Sequence, residues 1–146
     1  MGAYQHILLA VDFTPEVRMV TRKGRELAGQ NGAKVSLVHV VEYSSSSYPA
    51  DLAPPVALDL DDRLKKSAEV ELKELAITHG FPDAKRYVEL GVPKHEIVRI
   101  AEEKTVDLII IGSHGRHGMQ FLLGSTANGV LHLAKCDVLA VRMGGY

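Results

Sequence analysis

This chain of 146 residues has one cysteine, nearly balanced charges and no long apolar run, and each of these properties excludes a class of protein. The single Cys136 rules out an intrachain disulfide and suits a reducing compartment, where we expect a packed or partly covered thiol. Lys and Arg number 17 against 18 Asp and Glu, so the composition indicates no nucleic-acid partner. The N-terminal apolar run ends at Val11, too early for a secretory leader, and no run approaches the ~20 residues of a membrane span. We therefore expect a cytoplasmic protein with no membrane contact.

Several common nucleotide-binding and hydrolytic signatures are missing as well. The sequence contains no Gly-x4-Gly-Lys-Ser/Thr P-loop and no Gly-x-Ser-x-Gly nucleophile elbow. After the first predicted strand, where a dinucleotide site has Gly-x-Gly-x-x-Gly and an adenylating enzyme has Ser-Gly-Gly, this chain has Asp12-Phe13-Thr14-Pro15. These absences argue against a P-loop NTPase, a dinucleotide-dependent enzyme, an adenylating ligase and an α/β-hydrolase.

What the chain does contain is a regular alternation of short apolar runs and segments with helical periodicity. The predicted strands cover residues 7–11, 35–41, 86–90, 106–111 and 138–141. Helices are predicted from Thr14-Pro15 to about Gly29 or Gly32, from about Leu58 to His79, from Pro93, and after Gly124-Ser125, with an exposed loop over residues 42–55. Such alternation predicts an α/β fold, a single domain spanning residues 1–146 with a parallel sheet covered by helices on both faces.

The composition of the strands also predicts their order. The two most apolar runs, which begin at Ile7 and Val106, should lie at the centre of the sheet, and the third strand, with its alternating pattern, suits an edge. A doubly wound, five-stranded sheet of order 3-2-1-4-5 meets both conditions. Its switch point lies between strands 1 and 4, and ligands of such sheets bind at the carboxyl ends of the strands beside that point.

The segment after the fourth strand carries the strongest functional pattern. It reads Gly112-Ser113-His114-Gly115-Arg116-His117-Gly118 and continues, after a short spacer, as Gly124-Ser125-Thr126. Glycines let the backbone approach a ligand closely, successive N–H groups bind anions, and the N-terminus of the next helix adds further donors. The combination describes a cradle for a triphosphate. The alternative is that Gly112 and Gly115 only turn the chain out of the sheet.

Several segments together resemble the universal stress protein family over essentially the whole chain. Besides the glycine pattern, they are Ile7-Leu8-Leu9-Ala10-Val11-Asp12, Val38-His39-Val40, Gly91-Val92-Pro93, the run from Val106 to Gly112, and Val138-Leu139-Ala140-Val141, in the family's order. One departure is visible. The spacer from Arg116 to Leu123 has eight residues, one fewer than the usual family signature.

The resemblance implies an adenine nucleotide alpha hydrolase-like fold that binds ATP or AMP, with Mg²⁺ accompanying the triphosphate. It implies that Asp12 and Val40 line the adenine and ribose end of the site and that Ile111 and Gly112 approach the ribose. It assigns the phosphates to Gly115, Arg116, Gly124, Ser125 and Thr126. For Asp12, the alternative is a carboxylate that caps the first helix.

The last strand predicts a homodimer. The segment from Asp137 to Arg142 lies at the sheet edge in the 3-2-1-4-5 order, and its apolar core carries neither charge nor Pro. An unprotected edge strand of this kind pairs readily with another chain, here antiparallel with its own copy, and the family resemblance implies the same arrangement. The alternative is a monomer whose edge is covered by residues 143–146.

Three functions remain open from the sequence. The leading hypothesis is a nucleotide-linked dimeric regulator of the stress response rather than a fast enzyme. The second is the same fold acting through protein contacts without nucleotide, and the third is a slow ATPase, for which Arg116 and His117 are the nearby candidates. His114 and His117 alone, without a nearby Cys or carboxylate, do not make a convincing metal pair.

Overall fold

The computed structural model describes residues 2–42, 54–113 and 123–142. In chain order its elements are β1 (His6–Ala10), α1 (Val17–Asn31), β2 (Lys34–Val41), α2 (Pro54–Thr78), β3 (Lys85–Leu90), α3 (Pro93–Glu103), β4 (Leu108–Gly112), α4 (Ser125–Leu133) and β5 (Asp137–Val141). The alternation of strands and helices that the apolar pattern predicts is confirmed. None of the helices in the described ranges is long and apolar enough to cross a membrane.

The strands form one parallel sheet of order β3-β2-β1-β4-β5, as predicted. β1 lies at its centre, with Leu8 opposite Ser36 of β2 on one side and Ile109 of β4 on the other. All five residues of β1 are buried, because a central strand of a doubly wound sheet is covered on both faces. This is why its sequence is a continuous apolar run rather than an alternating one.

Successive residues of β1 point into two separate hydrophobic layers. Ile7 and Leu9 pack with α1 and α2 on one face, whereas Leu8 and Ala10 pack with α3 and α4 on the other. Full burial of a side chain such as Leu9 stabilises the fold by about 1.5–3 kcal/mol relative to an exposed position. The two layers together hold β1 and β4 rigidly, so that their carboxyl ends form a firm base for a site.

Two helices begin elsewhere than the sequence predicted. α1 starts at Val17 instead of Thr14-Pro15, because Thr14 belongs to a preceding turn in which its carbonyl accepts a hydrogen bond from the Val17 N–H at 3.1 Å. α2 starts at Pro54, inside the predicted loop. Proline is compatible with the first turn of a helix, where the N–H groups have no intrahelical partner. The rest of that predicted loop, residues 43–53, lies outside the described residues.

β4 begins at Leu108, two residues later than predicted, because α3 ends in a tight closing turn. The Val106 N–H donates to the Ala101 carbonyl at 2.9 Å, and Thr105 adopts a φ of 55°. This is the Schellman geometry, which usually has glycine at the left-handed position. α1 and α2 end in the same way with Gly32 at φ 65° and Gly80 at φ 90°. At Thr105 the sequence offered no glycine to mark the turn.

A close contact between α1 and the sheet depends on Gly24. A Cβ atom built on Gly24 would lie 2.7 and 2.8 Å from the two methyl carbons of Leu9, which is fully buried in β1. Only a residue without a side chain permits this approach. Gly24 therefore sets the distance between α1 and the central strand that ends just before Asp12.

Candidate functional site

The carboxyl ends of β1 and β4 lie side by side at the switch point of the sheet. Ala10 is the register partner of Ile111, so Asp12 and Ser113 each lie two residues beyond a paired position. From here the chain leaves β1 towards α1 on one face and leaves β4 towards α4 on the other. Two neighbouring strands whose connections diverge in this way leave a crevice at their carboxyl ends.

Asp12 lies at this crevice and braces the turn that follows β1. Its Oδ1 accepts hydrogen bonds from the Thr14 backbone N–H at 3.1 Å and from the Thr14 hydroxyl at 2.6 Å. The N-cap position of α1 is Glu16, so the Asp12 carboxylate does not cap the helix directly. Among the described residues Oδ2 of Asp12 has no hydrogen-bond partner. One carboxylate oxygen therefore holds the turn at this half-buried edge.

The backbone before Asp12 is fixed by a histidine from the neighbouring strand. Nδ1–H of His39 donates to the Val11 carbonyl at 2.8 Å, and its ring stacks on Phe13 with the centroids 4.1 Å apart. A carbonyl oxygen only accepts, so this bond places a proton on Nδ1. His39 is half-buried near the carboxyl end of β2. Its contact with Phe13 had no signal in the sequence.

Val40 is the last residue but one of β2 and is half-buried against the hydrophobic layer of α3 and α4. Ile111 belongs to the same layer and is buried, whereas Gly112 is half-buried at the end of β4. The structure therefore brings Asp12, Val40, Ile111 and Gly112 to the carboxyl ends of three adjacent strands. Of these residues Asp12 alone offers a charged side chain.

The two ends of the glycine-rich segment are hydrogen-bonded to each other. The Gly124 N–H donates to the Ser113 carbonyl at 2.6 Å, and the Ser113 N–H donates to the Val141 carbonyl at 2.8 Å. Ser113 thus links the end of β5 with the start of α4. Ser113 and Gly124, on either side of the residues that are not described, therefore meet at one place on the edge of the sheet. We refer to this pair of hydrogen bonds as the Ser113 tie.

The first turn of α4 presents free backbone donors beside the Ser113 tie. Gly124 is the N-cap and makes no side-chain capping bond, and the first turn contains no acidic residue. The first intrahelical bond runs from the Asn128 N–H to the Gly124 carbonyl at 2.9 Å, so the N–H groups of Ser125, Thr126 and Ala127 have no backbone partner in the described part of the chain. Ser125 is exposed and Thr126 half-buried. The turn has the chemistry of an anion site.

Gly115 and Arg116 lie outside the described residues, as do His114 and His117, so their predicted roles stay predictions. Within residues 2–42, 54–113 and 123–142, no group of three or more His, Cys, Asp or Glu side chains is arranged to hold a metal ion.

Two of the groups with shifted pKa values lie at the opposite, amino edge of the sheet. Burial lowers the pKa of His6, whose Nδ1–H donates to the Lys104 carbonyl at 2.9 Å and whose Nε2 accepts from the Ser36 hydroxyl at 2.7 Å. Burial also raises the pKa of Cys136, which lines a cavity of about 260 Å³ and stays a protonated thiol. Both groups serve the packing of that edge and are remote from the crevice.

Comparison with known proteins identifies the class. The model of the universal stress protein family matches residues 3–142. Universal stress protein A homolog 1 of Coxiella burnetii is 40% identical over 140 residues, which is 96% of this chain and 97% of that protein. Among solved structures, hypothetical protein MJ0577 superimposes with a TM-score of 0.80 at 26% identity over 98% of this chain and 99% of that one. A universal stress protein in complex with cAMP superimposes with a TM-score of 0.62 at 22% identity over 96% and 98% of the two chains.

The fold is therefore the doubly wound, adenine nucleotide alpha hydrolase-like sheet that the sequence predicted. The chain belongs to the universal stress protein family.

Proposed function

We propose that this protein is a cytoplasmic regulator of the stress response that binds ATP or AMP in the crevice between β1 and β4, with Mg²⁺ accompanying the triphosphate. The single domain of residues 1–146 would form a homodimer. The observation that carries the proposal is the Ser113 tie, which brings the end of β4 to the free N–H groups of α4. Asp12 and Val40 would contact the adenine and ribose, with Ile111 and Gly112 beside the ribose. The phosphates would contact the remaining predicted residues, which are Gly115, Arg116, Gly124, Ser125 and Thr126.

The chemistry of each end supports this direction of binding. A carboxylate oxygen accepts hydrogen bonds from ribose hydroxyls, whereas backbone N–H groups at a helix N-terminus donate to phosphate oxygens. The cAMP complex of a related fold is a property of that protein. It supports adenine nucleotides as the first ligands to test here.

Calorimetry with ATP, ADP and AMP tests the proposal. A ligand of ATP's size should bind with a dissociation constant between about 0.1 and 100 μM. Gly115→Val should abolish binding because a side chain blocks the approach of the phosphates. Gly29→Val is the matched control, since Gly29 is exposed and a Cβ built on it has no atom within 4 Å. Absence of heat with all three nucleotides in the wild type would instead favour a module that acts through protein contacts alone.

Hydrolysis should be slow if the protein is a regulator. We expect less than about one turnover per minute, far below the ~1–1000 per second of typical enzymes. A rapid release of phosphate that disappears in His117→Ala would contradict this and establish the protein as an ATPase.

The dimer would form through β5. In the described residues β5 pairs with β4 alone, so its other edge carries unpaired backbone groups. The neighbouring end of α4 exposes Leu131 and Leu133, each at 43%. An antiparallel pairing of two β5 strands would satisfy the backbone and cover apolar surface.

A further inference from the structure

Lys94, on α3, lies against a glycine of α4 and close to the start of that helix. A Cβ built on Gly129 would lie 3.0 Å from the Cβ and 3.2 Å from the Cγ of Lys94, and closer still to its Cδ. The aliphatic part of Lys94 therefore occupies the space that any other residue at position 129 would fill. Lys94 is half-buried, in keeping with a side chain whose carbons lie against α4.

Lys94 lies at the same edge of the sheet as the proposed nucleotide site. Lys94 is the second residue of α3, at the carboxyl edge of the sheet, and helical side chains lean towards the N-terminus of their own helix. Gly129 follows Ser125 by four residues and so lies about one turn, roughly 6 Å along the axis, from it on the same face. A lysine side chain that passes Gly129 is therefore within reach of the first turn of α4.

The charged groups and helix termini around Lys94 favour a bound anion. A cation in the first turn of a helix is disfavoured by the helix dipole, and Lys94 lies near the N-termini of two helices. Glu96, the acidic residue in the first turn of α3, accepts hydrogen bonds from Arg99 at 2.7 and 3.2 Å, and the first turn of α4 contains no acidic residue. Within the described ranges the Lys94 ammonium forms no ion pair. A bound anion would satisfy the lysine and both helix termini at once.

We propose that Lys94 is a phosphate-binding residue of the nucleotide site and that Gly129 is the residue that seats it there. The inference rests on the proposed nucleotide-binding function. It extends that function by adding a side-chain cation from α3 to the phosphate end of the site, and it makes the phosphate groups, rather than the nucleoside, the source of much of the affinity.

Calorimetry with ATP, AMP and adenosine separates these contributions. In Lys94→Met the affinity for ATP should fall about tenfold or more, as expected for loss of a charge-assisted hydrogen bond, while the affinity for adenosine stays the same. Lys135→Met is the matched control. It removes one positive charge from the amino edge, where Lys135 is exposed and paired with Glu102, and it should leave all three affinities unchanged.

Gly129→Ala tests the packing of Lys94 against α4 while the positive charge of Lys94 is kept. The new methyl must displace the Lys94 side chain, whereas alanine favours the helix, so the affinity for ATP should fall while the melting temperature does not. If the wild type binds ATP and Lys94→Met keeps the ratio of ATP to adenosine affinity, the inference about Lys94 is overturned and the proposed function stands. If the wild type binds none of the three ligands, the proposed function is overturned as well.

Discussion

Three glycines of α1 and its C-terminal cap should respond to replacement by alanine in three different ways. At Gly24 the added methyl would lie 2.7 and 2.8 Å from the methyl carbons of Leu9, and neither a central strand nor a helix packed on it can withdraw freely. Overpacking of this kind lowers the free energy of unfolding by about 1–3 kcal/mol, and the better helix propensity of alanine offsets about 1 kcal/mol of that loss. We expect Gly24→Ala to lower the free energy of unfolding by about 1 kcal/mol.

Gly29 and Gly32 provide the comparison on the same helix. A Cβ on either glycine meets no atom within 4 Å, but Gly32 has a φ of 65° whereas the φ of Gly29 is not positive. Gly29→Ala should therefore stabilise the protein by about 0.5–1 kcal/mol through helix propensity. Gly32→Ala should destabilise it by about 1–2 kcal/mol because alanine is strained in the left-handed region.

Urea unfolding at one pH and one protein concentration measures all three variants. The decisive comparison is between Gly24→Ala and Gly29→Ala, which share their chemistry and helix and differ in the space around the new methyl. The predicted gap is about 2 kcal/mol in the free energy of unfolding, from the overpacking term alone. If Gly24→Ala stabilised the protein as much as Gly29→Ala, the close contact between α1 and β1 would not exist as described.

Two further predictions concern pH and assembly. Burial lowers the pKa of His6, and burial together with Arg25 lowers the pKa of His79. At pH values between the folded and unfolded pKa, the unfolded chain therefore binds more protons than the folded protein. Stability should be complete above about pH 6.5 and decline as the pH falls through the lowered folded pKa values; equal urea midpoints at pH 7 and pH 5 would contradict this. Leu139→Pro removes a backbone donor and a packing side chain from β5, so sedimentation should show a dimer for the wild type, if the proposed interface forms, and a monomer for the variant. A wild type that is monomeric at micromolar concentration would refute the proposed interface.

The sheet could be predicted from the sequence because a strand that is buried on both faces has a continuous apolar sequence. β1 and β4 are continuous apolar runs, and this property alone distinguishes central strands from the edge strand β3. Element boundaries were harder because local hydrogen bonds compete at the termini. Thr14 is a good N-cap residue by type, but Asp12 holds it in a separate turn, so α1 begins later. The left-handed position that ends α3 is Thr105 and not a glycine, so the sequence carried no signal for the end of this helix.

The site could be predicted only as far as the chain order reveals it. The carboxyl ends of β1 and β4 follow from topology, so the alternation of strands and helices is enough to assign Asp12 and Gly112 to one edge of the sheet. Contacts between elements distant in sequence leave no such mark. The bond from His39 to the Val11 carbonyl and the packing of Lys94 on Gly129 depend on distances across the fold, and neither pair forms a motif.

The Ser113 tie also bears on the length of the spacer in this chain. Because the Ser113 carbonyl and the Gly124 N–H meet at 2.6 Å, both ends of the intervening chain are anchored at one point of the sheet edge. Removing one residue from a loop of this size changes its closure entropy by only about 0.1 kcal/mol. The shorter spacer from Arg116 to Leu123 therefore leaves the two anchor points, and the start of α4, where a longer one would hold them.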